Sequence, residues 1–213
     1  MTLKKFKTTF IWSIIIIWLP VMIDLFFWNK LPSKIVTHYN AQMVPNGWSP
    51  KPVAVFMLPI ILTIVQIFLV YLFIRDPKNK NAKVWMNNII LMVIPVISVF
   101  INVLMLSTGL GFNVARFKDV FFNFLAGIIL IMLGIVLKSV KPNQIIGIRL
   151  PWTLHSSENW KRTHQLTSEL FIIGGIVMLV IGLTPLQLLF VPILLLLIII
   201  PVIYSFILFK RGI

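Results

Sequence analysis

Six long apolar runs constrain this chain more than any other feature. They cover residues 6–28, 53–74, 84–106, 120–137, 166–183 and 186–209 of a 213-residue sequence. A bilayer core is about 30 Å thick, so a helix of roughly 20 apolar residues crosses it. A transmembrane β-barrel would instead show alternating segments of about ten residues, and the sequence has none. We therefore predict an all-α integral membrane protein with six transmembrane helices.

Composition argues against a separate soluble domain. The chain is 59% hydrophobic and 11% charged, whereas soluble domains average about 25% charged residues. The polar segments between the runs are short loops. We expect one membrane domain in three parts, namely residues 1–74 with a structured loop at 29–52, residues 75–137, and residues 138–213.

The distribution of Lys and Arg predicts the orientation in the membrane. If the N-terminus is inside, 14 cations fall on inner segments, and five fall on outer loops, namely Lys30, Lys34, Lys51, Arg116 and Lys118. Cytoplasmic loops carry an excess of Lys and Arg, so both termini are predicted to be cytoplasmic. The net charge of +14 then reflects topology and anionic lipid headgroups. The lipid bilayer is the expected partner, and direct binding to nucleic acid is not expected.

The stretch 141–166 departs from the apolar alphabet and is predicted to be a functional cytoplasmic loop. Pro151 disfavours helix at Leu150. Ser156 or Ser157 can N-cap a helix that runs into the fifth span. Trp160 and His164 would share one face of this helix, because they are four residues apart.

Arg149 is the residue of this loop with the strongest indication of a specific role. Its guanidinium can bind a carboxylate or a phosphate with two parallel hydrogen bonds. The nearest acidic candidates are Glu158 and Glu169. Lys161 and Arg162 are interpreted instead as cations lying among lipid headgroups.

The outer loop is predicted to be folded rather than extended into solvent. Residues 35–39 are β-branched and aromatic, which favours an extended segment. Pro45-Asn46-Gly47 is typical of a turn, because Asn and Gly tolerate positive φ. Trp48 suits the membrane interface. His38 is either a ligand or a proton acceptor, or simply a hydrogen-bonding residue of the loop.

Two carboxylates and four glycines lie within the apolar runs. Asp24 and Glu169 are costly inside a bilayer and are therefore candidate sites, although Asp24 could instead face the outer loop. The glycines form two pairs, each about two helical turns apart: Gly127 with Gly134, and Gly175 with Gly182. They indicate either close packing of the fourth and fifth spans or the general abundance of Gly in membrane helices.

No constellation of catalytic residues emerges from the sequence. It contains no Cys, and its three His are predicted to lie on opposite sides of the membrane. The metal-binding and nucleophile motifs of known hydrolases are missing. We predict no enzyme activity, cofactor or metal. A transporter is less easily excluded, although the paired broken helices typical of transporters are not evident.

Two segments resemble known sequences. The loop at 141–164 resembles the signature of the SdpI family of bacterial polytopic membrane immunity proteins. The matching residues are Asn143, Gly147, Arg149, Pro151, Trp152, Thr153, Trp160 and His164. The outer loop resembles a small domain of unknown function that often precedes this signature. Its matching residues are Leu31, Pro32, His38, Tyr39, Asn40, Pro45, Gly47 and Trp48.

The resemblance implies a multi-pass protein of the bacterial cell membrane that gives immunity to a secreted, membrane-active peptide toxin. It also implies a receptor function, in which a cytoplasmic ArsR-like repressor is held at the membrane. On this interpretation the toxin faces the outer loop at His38, Tyr39, Asn40, Gly47 and Trp48. The repressor meets the loop at 141–164, which is called the signature loop below. A small transporter or exporter is the alternative.

Overall fold

The structure is a computed structural model that describes residues 7–40, 44–75, 83–113, 117–143 and 145–213. The side chains of Lys118, Asp119 and Gln187 are also outside the described set. Several cations that entered the orientation argument lie outside the described residues, namely Lys4, Lys5, Lys78, Lys80 and Arg116.

Within the described residues, six helices are long and apolar enough to cross a membrane, which confirms the predicted all-α, multi-pass fold. They are α1 (Lys7–Phe26), α2 (Lys51–Arg75), α3 (Val84–Gly109), α4 (Lys118–Leu137), α6 (Ser157–Gly182) and α7 (Phe190–Lys210), and a short helix α5 (Pro151–His155) precedes α6. Internal prolines in α1, α2, α3 and α7 are tolerated because neighbouring helices can satisfy the freed backbone groups.

Helix α6 extends well beyond the apolar run that predicted it. It begins at Ser157, whereas the apolar run begins at 166. The side chain of Ser156 caps this helix by accepting a hydrogen bond from the backbone N–H of Asn159 at 3.1 Å. The polar residues of the signature loop therefore continue directly into a transmembrane helix.

A β-hairpin occupies the loop between α1 and α2. Strand β1 (Lys34–Tyr39) pairs antiparallel with β2 (Pro45–Pro50), with irregular register on either side of His38. The prediction of a turn at Pro45-Asn46-Gly47 is wrong, because these residues begin β2. Gly47 lies opposite His38, and a Cβ there would approach the His38 Cβ to 2.8 Å. Close strand approach, and not positive φ, explains this glycine.

The chain forms two compact units. The first unit holds α1, the hairpin and most of α2 and α3. Its core includes a cluster of buried side chains from α1, the hairpin region and α2: Val21, Leu31, Ile35, Ala54 and Val55.

The second unit holds the remaining ends of α2 and α3 together with helices α4 to α7. Buried side chains of α4, α6 and α7 form a cluster in it: Leu130, Met178, Ile181 and Leu197. The signature loop belongs entirely to this second unit.

Candidate functional site

The signature loop begins with a turn organised by the side chain of Asn143. Its Oδ1 accepts hydrogen bonds from the backbone N–H groups of Ile145 and Ile146, both at 2.7 Å. Its Nδ2 donates to the carbonyls of Lys141 at 2.8 Å and Ile146 at 3.1 Å. One amide side chain thus satisfies four backbone groups in a segment that has no regular secondary structure.

The centre of the loop rests on two stacked rings of α6. The rings of Trp160 and His164 lie 4.0 Å apart and nearly parallel, as their predicted common face allows. The indole Nε1 of Trp160 donates to the carbonyl of Val140 at 2.9 Å. The Nε2 of His164 accepts from the backbone N–H of Ile148 at 2.9 Å, and its Nδ1 lies 2.7 Å from the carbonyl of Trp160. This network assigns a neutral imidazole with its proton on Nδ1.

Gly147 packs against the edges of these two rings, and its backbone has a conformation that favours glycine. Its φ is +120°, which L side chains rarely adopt. A Cβ at this position would collide with Nε2 of His164 and would come within 2.9 Å of Cη2 of Trp160. The three signature residues Gly147, Trp160 and His164 therefore form one packed unit.

Thr153 and Trp152 fasten the second half of the loop. The hydroxyl of Thr153 has two carbonyl acceptors within reach, that of Ile148 at 2.7 Å and that of Leu150 at 2.9 Å. Its Oγ1 also accepts a hydrogen bond from the backbone N–H of Leu150 at 3.0 Å. The Nε1 of Trp152 donates to Oγ of Ser205 in α7 at 3.0 Å. Pro151 starts α5, where its missing N–H costs nothing.

Asn159 and Ser205 are structural partners that were not predicted from the sequence. Asn159 is fully buried, and its Nδ2 donates to the carbonyls of Ser205 at 3.0 Å and Ile213 at 3.1 Å. Its Oδ1 accepts from Thr163. The buried residues 159, 163 and 167 recur every four positions, as do 160, 164 and 168. Polar residues with helical spacing at the start of an apolar run were the signal that could have revealed this face.

Arg149 differs from the other polar and aromatic signature residues. Its side chain is exposed and has no hydrogen bond or ion pair with any described residue. Of the two acidic candidates for Arg149, Glu158 instead accepts a hydrogen bond from Nε of Arg162 at 2.6 Å. That pair is four residues apart on α6 and exposed to solvent, so it contributes little to stability. Glu169 is also exposed and is not paired with Arg149.

The four glycines lie at contacts between α4 and α6. A Cβ on Gly127 would lie 2.8 Å from the carbonyl oxygen of Gly175, and a Cβ on Gly175 would lie 2.7 Å from that of Gly127. Gly134 approaches the carbonyl of Ser168, and Gly182 approaches Asn123. Ser168 also donates from Oγ to the carbonyl of Gly134 at 2.7 Å. Such contacts let backbones pack closely in a medium without hydrophobic driving force.

The hairpin in the first unit is fastened at both ends. The Tyr39 hydroxyl lies 2.7 Å from Oγ1 of Thr108 in α3. Burial raises the pKa of Tyr39, with the Thr108 hydrogen bond acting in the opposite direction. The Nζ of Lys51 donates to the carbonyls of Trp28 and Leu31, both at 2.9 Å, and lies over the Trp28 ring.

The remaining predicted residues of the hairpin are exposed or half-buried. Nδ1 of His38 is 2.6 Å from Oδ1 of Asn46, which matches the hydrogen-bonding interpretation of this histidine. Asn40 accepts from the N–H of Val44 and so helps to close the hairpin. Trp48 is 56% exposed. The hairpin therefore presents an exposed indole on a rigid support.

Asp24 is buried inside the first unit. Its side chain accepts a hydrogen bond from Nδ2 of Asn102 in α3 at 2.6 Å. Further polar contacts link α1, α2 and α3. Ser98 donates to the carbonyl of Ile17, and Gln66 donates to Ser13 and to the carbonyl of Leu91. No group of metal-binding side chains is found among the described residues.

Comparison with known proteins agrees with both resemblances. Residues 139–205 match the SdpI/YfhL protein family, and residues 15–63 match a domain of unknown function, DUF1648. The resemblances predicted from the motifs are confirmed by these two matches. It is also 25% identical over 171 residues to the immunity protein SdpI of Bacillus subtilis (strain 168), covering 80% of this chain and 79% of that protein. No solved structure matches.

Proposed function

We propose that this chain is a membrane immunity protein that protects the cell from a secreted, membrane-active peptide toxin. The observation that carries the proposal is the combined match to the signature segment and to the immunity protein SdpI across most of both chains. Six membrane-spanning helices are consistent with it. The protein would act where such a toxin acts, in the lipid bilayer of the bacterial cell membrane.

The hairpin is proposed to be the surface that meets the toxin. The excess of Lys and Arg on the other set of loops supports an extracytoplasmic position for it. Its links from Tyr39 to Thr108 and from Lys51 to the Trp28 and Leu31 carbonyls support a preorganised surface. A rigid, exposed indole such as Trp48 offers a large contact area at low entropic cost.

The signature loop is proposed to be the cytoplasmic surface that holds a repressor at the membrane. Its other signature side chains are used internally, whereas Arg149 is available to a ligand. Communication with the hairpin requires two states of the helix bundle that toxin and repressor bind with different affinities. Such coupling would allow exposure to toxin to relieve repression.

A small transporter is the second candidate function. Buried polar groups in membrane helices often mark the path of an ion or substrate. The buried Asp24, hydrogen-bonded to Asn102, and the buried Gln66 favour this candidate. Immunity by toxin capture does not need these groups, so Asp24→Asn should retain resistance if the first proposal holds.

The test expresses this protein in a toxin-sensitive strain. The toxin is the one to which the best-known member of the SdpI family gives resistance. Survival in toxin and membrane localisation of a fluorescent ArsR-like repressor are measured in the same cells. Wild type should increase survival, Trp48→Ala should reduce survival but not localisation, and Arg149→Lys should reduce localisation. Protein levels in the membrane serve as the control. Unchanged survival with wild type would reject immunity to this toxin, and loss of localisation in Trp48→Ala would reject the division between the two surfaces.

A further inference from the structure

A partly open apolar cavity lies beneath the signature loop in the second unit. Its volume is about 250 Å³. Its walls come from one face of α4, one residue of α6 and the centre of the loop: Leu133, Val136, Leu137, Phe171, Ile146, Gly147 and Ile148. All of these residues are apolar, so none of the described wall residues offers a hydrogen bond from its side chain. Its natural occupant is a hydrocarbon group.

Cations adjoin this cavity along the chain. Lys138 directly follows Leu137, and Arg149 directly follows Ile148, so their Cα atoms lie about 3.8 Å from those of wall residues. Lys141 follows shortly after Lys138. All three side chains are exposed, and none forms an ion pair with a described residue. Three exposed cations thus lie next to or close to the wall residues in sequence, and no described residue neutralises them by an ion pair.

We propose that this cavity and Arg149 form a binding site for an anionic phospholipid of the surrounding membrane. An acyl chain occupies the apolar cavity, and the planar guanidinium of Arg149 binds the phosphate with two hydrogen bonds. Lys138 and Lys141 add attraction to the negative headgroup. The site can form on either side of the bilayer, so it does not depend on the orientation of the chain or on the immunity function. A repressor that also used Arg149 would have to displace the lipid headgroup from it.

The chemistry of the walls favours a lipid over an acidic segment of a protein. A peptide in the cavity would place backbone N–H and C=O groups against apolar side chains without partners, which is costly. An acyl chain carries no such groups. In a phospholipid, the acyl chain fits the apolar cavity and the phosphate binds the neighbouring cations. The bound lipid would also support Gly147 and Ile148, and through them the contacts with Trp160 and His164.

The experiment is native mass spectrometry of the purified full chain with equal amounts of dioleoyl phosphatidylglycerol and dioleoyl phosphatidylcholine. Wild type should retain phosphatidylglycerol preferentially. Arg149→Gln should lower the bound fraction about fivefold, and Leu133→Phe should lower it by filling the cavity. Phe171→Trp replaces Leu133→Phe if that variant is not monodisperse. Lys161→Gln, an exposed cation on α6 that is not part of the cavity, is the matched control and should bind as wild type does.

Three results would overturn the proposal. The first is equal retention of the two lipids by wild type. The second is full retention of phosphatidylglycerol by Arg149→Gln. The third is displacement of the lipid by glycerol 3-phosphate at the same concentration, which would mean that the acyl chain contributes nothing. Binding of an acidic peptide without any preference for phosphatidylglycerol would assign the cations to a protein partner.

Discussion

The signature residues act mainly on the backbone of their own loop. Asn143, Thr153 and His164 form hydrogen bonds to carbonyl or N–H groups in a segment where helix and sheet provide none. A loop packed against membrane helices needs these bonds, because unsatisfied polar groups are costly away from water. The sequence motif therefore marks a particular loop path, and Arg149 is the polar residue left available for a ligand.

Gly147→Ala should strongly destabilise the second unit. A non-glycine residue in an unfavourable backbone region costs roughly 1–3 kcal/mol, and the added Cβ would also displace the His164 and Trp160 rings. Gly111 provides a matched control, since its φ is +87° and a Cβ there would meet no atom of the described residues within 4 Å. Thermal unfolding in detergent should show a clearly larger loss for Gly147→Ala than for Gly111→Ala. Equal losses would show that contact with the rings is unimportant.

At the scale of elements, α4 and α6 determine where the two ends of the signature loop lie. The glycines were interpreted either as sites of close helix packing or as a sign of the general abundance of Gly in membrane helices. Gly127 and Gly175 approach each other's carbonyl oxygens, which favours close packing. The hydrogen bond from Ser168 to Gly134 adds a polar link between the same helices. The signature loop connects the end of α4 to the start of α6. This contact therefore fixes the distance that the loop must bridge.

Gly174 and Gly175 allow a comparison of adjacent positions on one helix. In Gly175→Ala the new methyl group meets the Gly127 backbone, which cannot move without separating the helices. In Gly174→Ala it meets mainly the methyl ends of Leu197, which can change rotamer. Overpacking of this kind costs roughly 1–3 kcal/mol. We expect a lower melting temperature for Gly175→Ala than for Gly174→Ala. The reverse order would mean that the contact between α4 and α6 is not the tighter one.

The sequence predicted the elements better than the contacts between them. Apolar runs and the Ser156 cap are local signals, and they located the spans and the start of α6. The links from Asn159 to Ser205 and from Asp24 to Asn102 join residues far apart in sequence, so no local pattern specifies them. Gly47 was assigned to a turn because the close approach of His38 exists only after the strands pair.

At the scale of the whole molecule, the hairpin and the signature loop belong to different units. The proposed orientation places them on opposite sides of the membrane. The chain contains no Cys, so single cysteines can be introduced without a background. A membrane-impermeant maleimide applied to intact cells should label Ser33→Cys, which is exposed beside the hairpin, and should label Ser157→Cys only after permeabilisation. Labelling of Ser157→Cys in intact cells would reverse the orientation and exclude recruitment of a cytoplasmic repressor by this loop.

The central claim is that this protein itself protects a membrane from a peptide toxin. The most direct measurement is dye release from vesicles, since only lipid, peptide and protein are present. Vesicles containing the wild-type chain, vesicles containing Trp48→Ala and vesicles containing no protein are exposed to the same series of concentrations of the toxin used in the survival assay. Protection predicts that the wild-type chain shifts half-maximal release to a higher peptide concentration, and that Trp48→Ala shifts it less. Identical release curves from vesicles with and without the wild-type protein would contradict the claim.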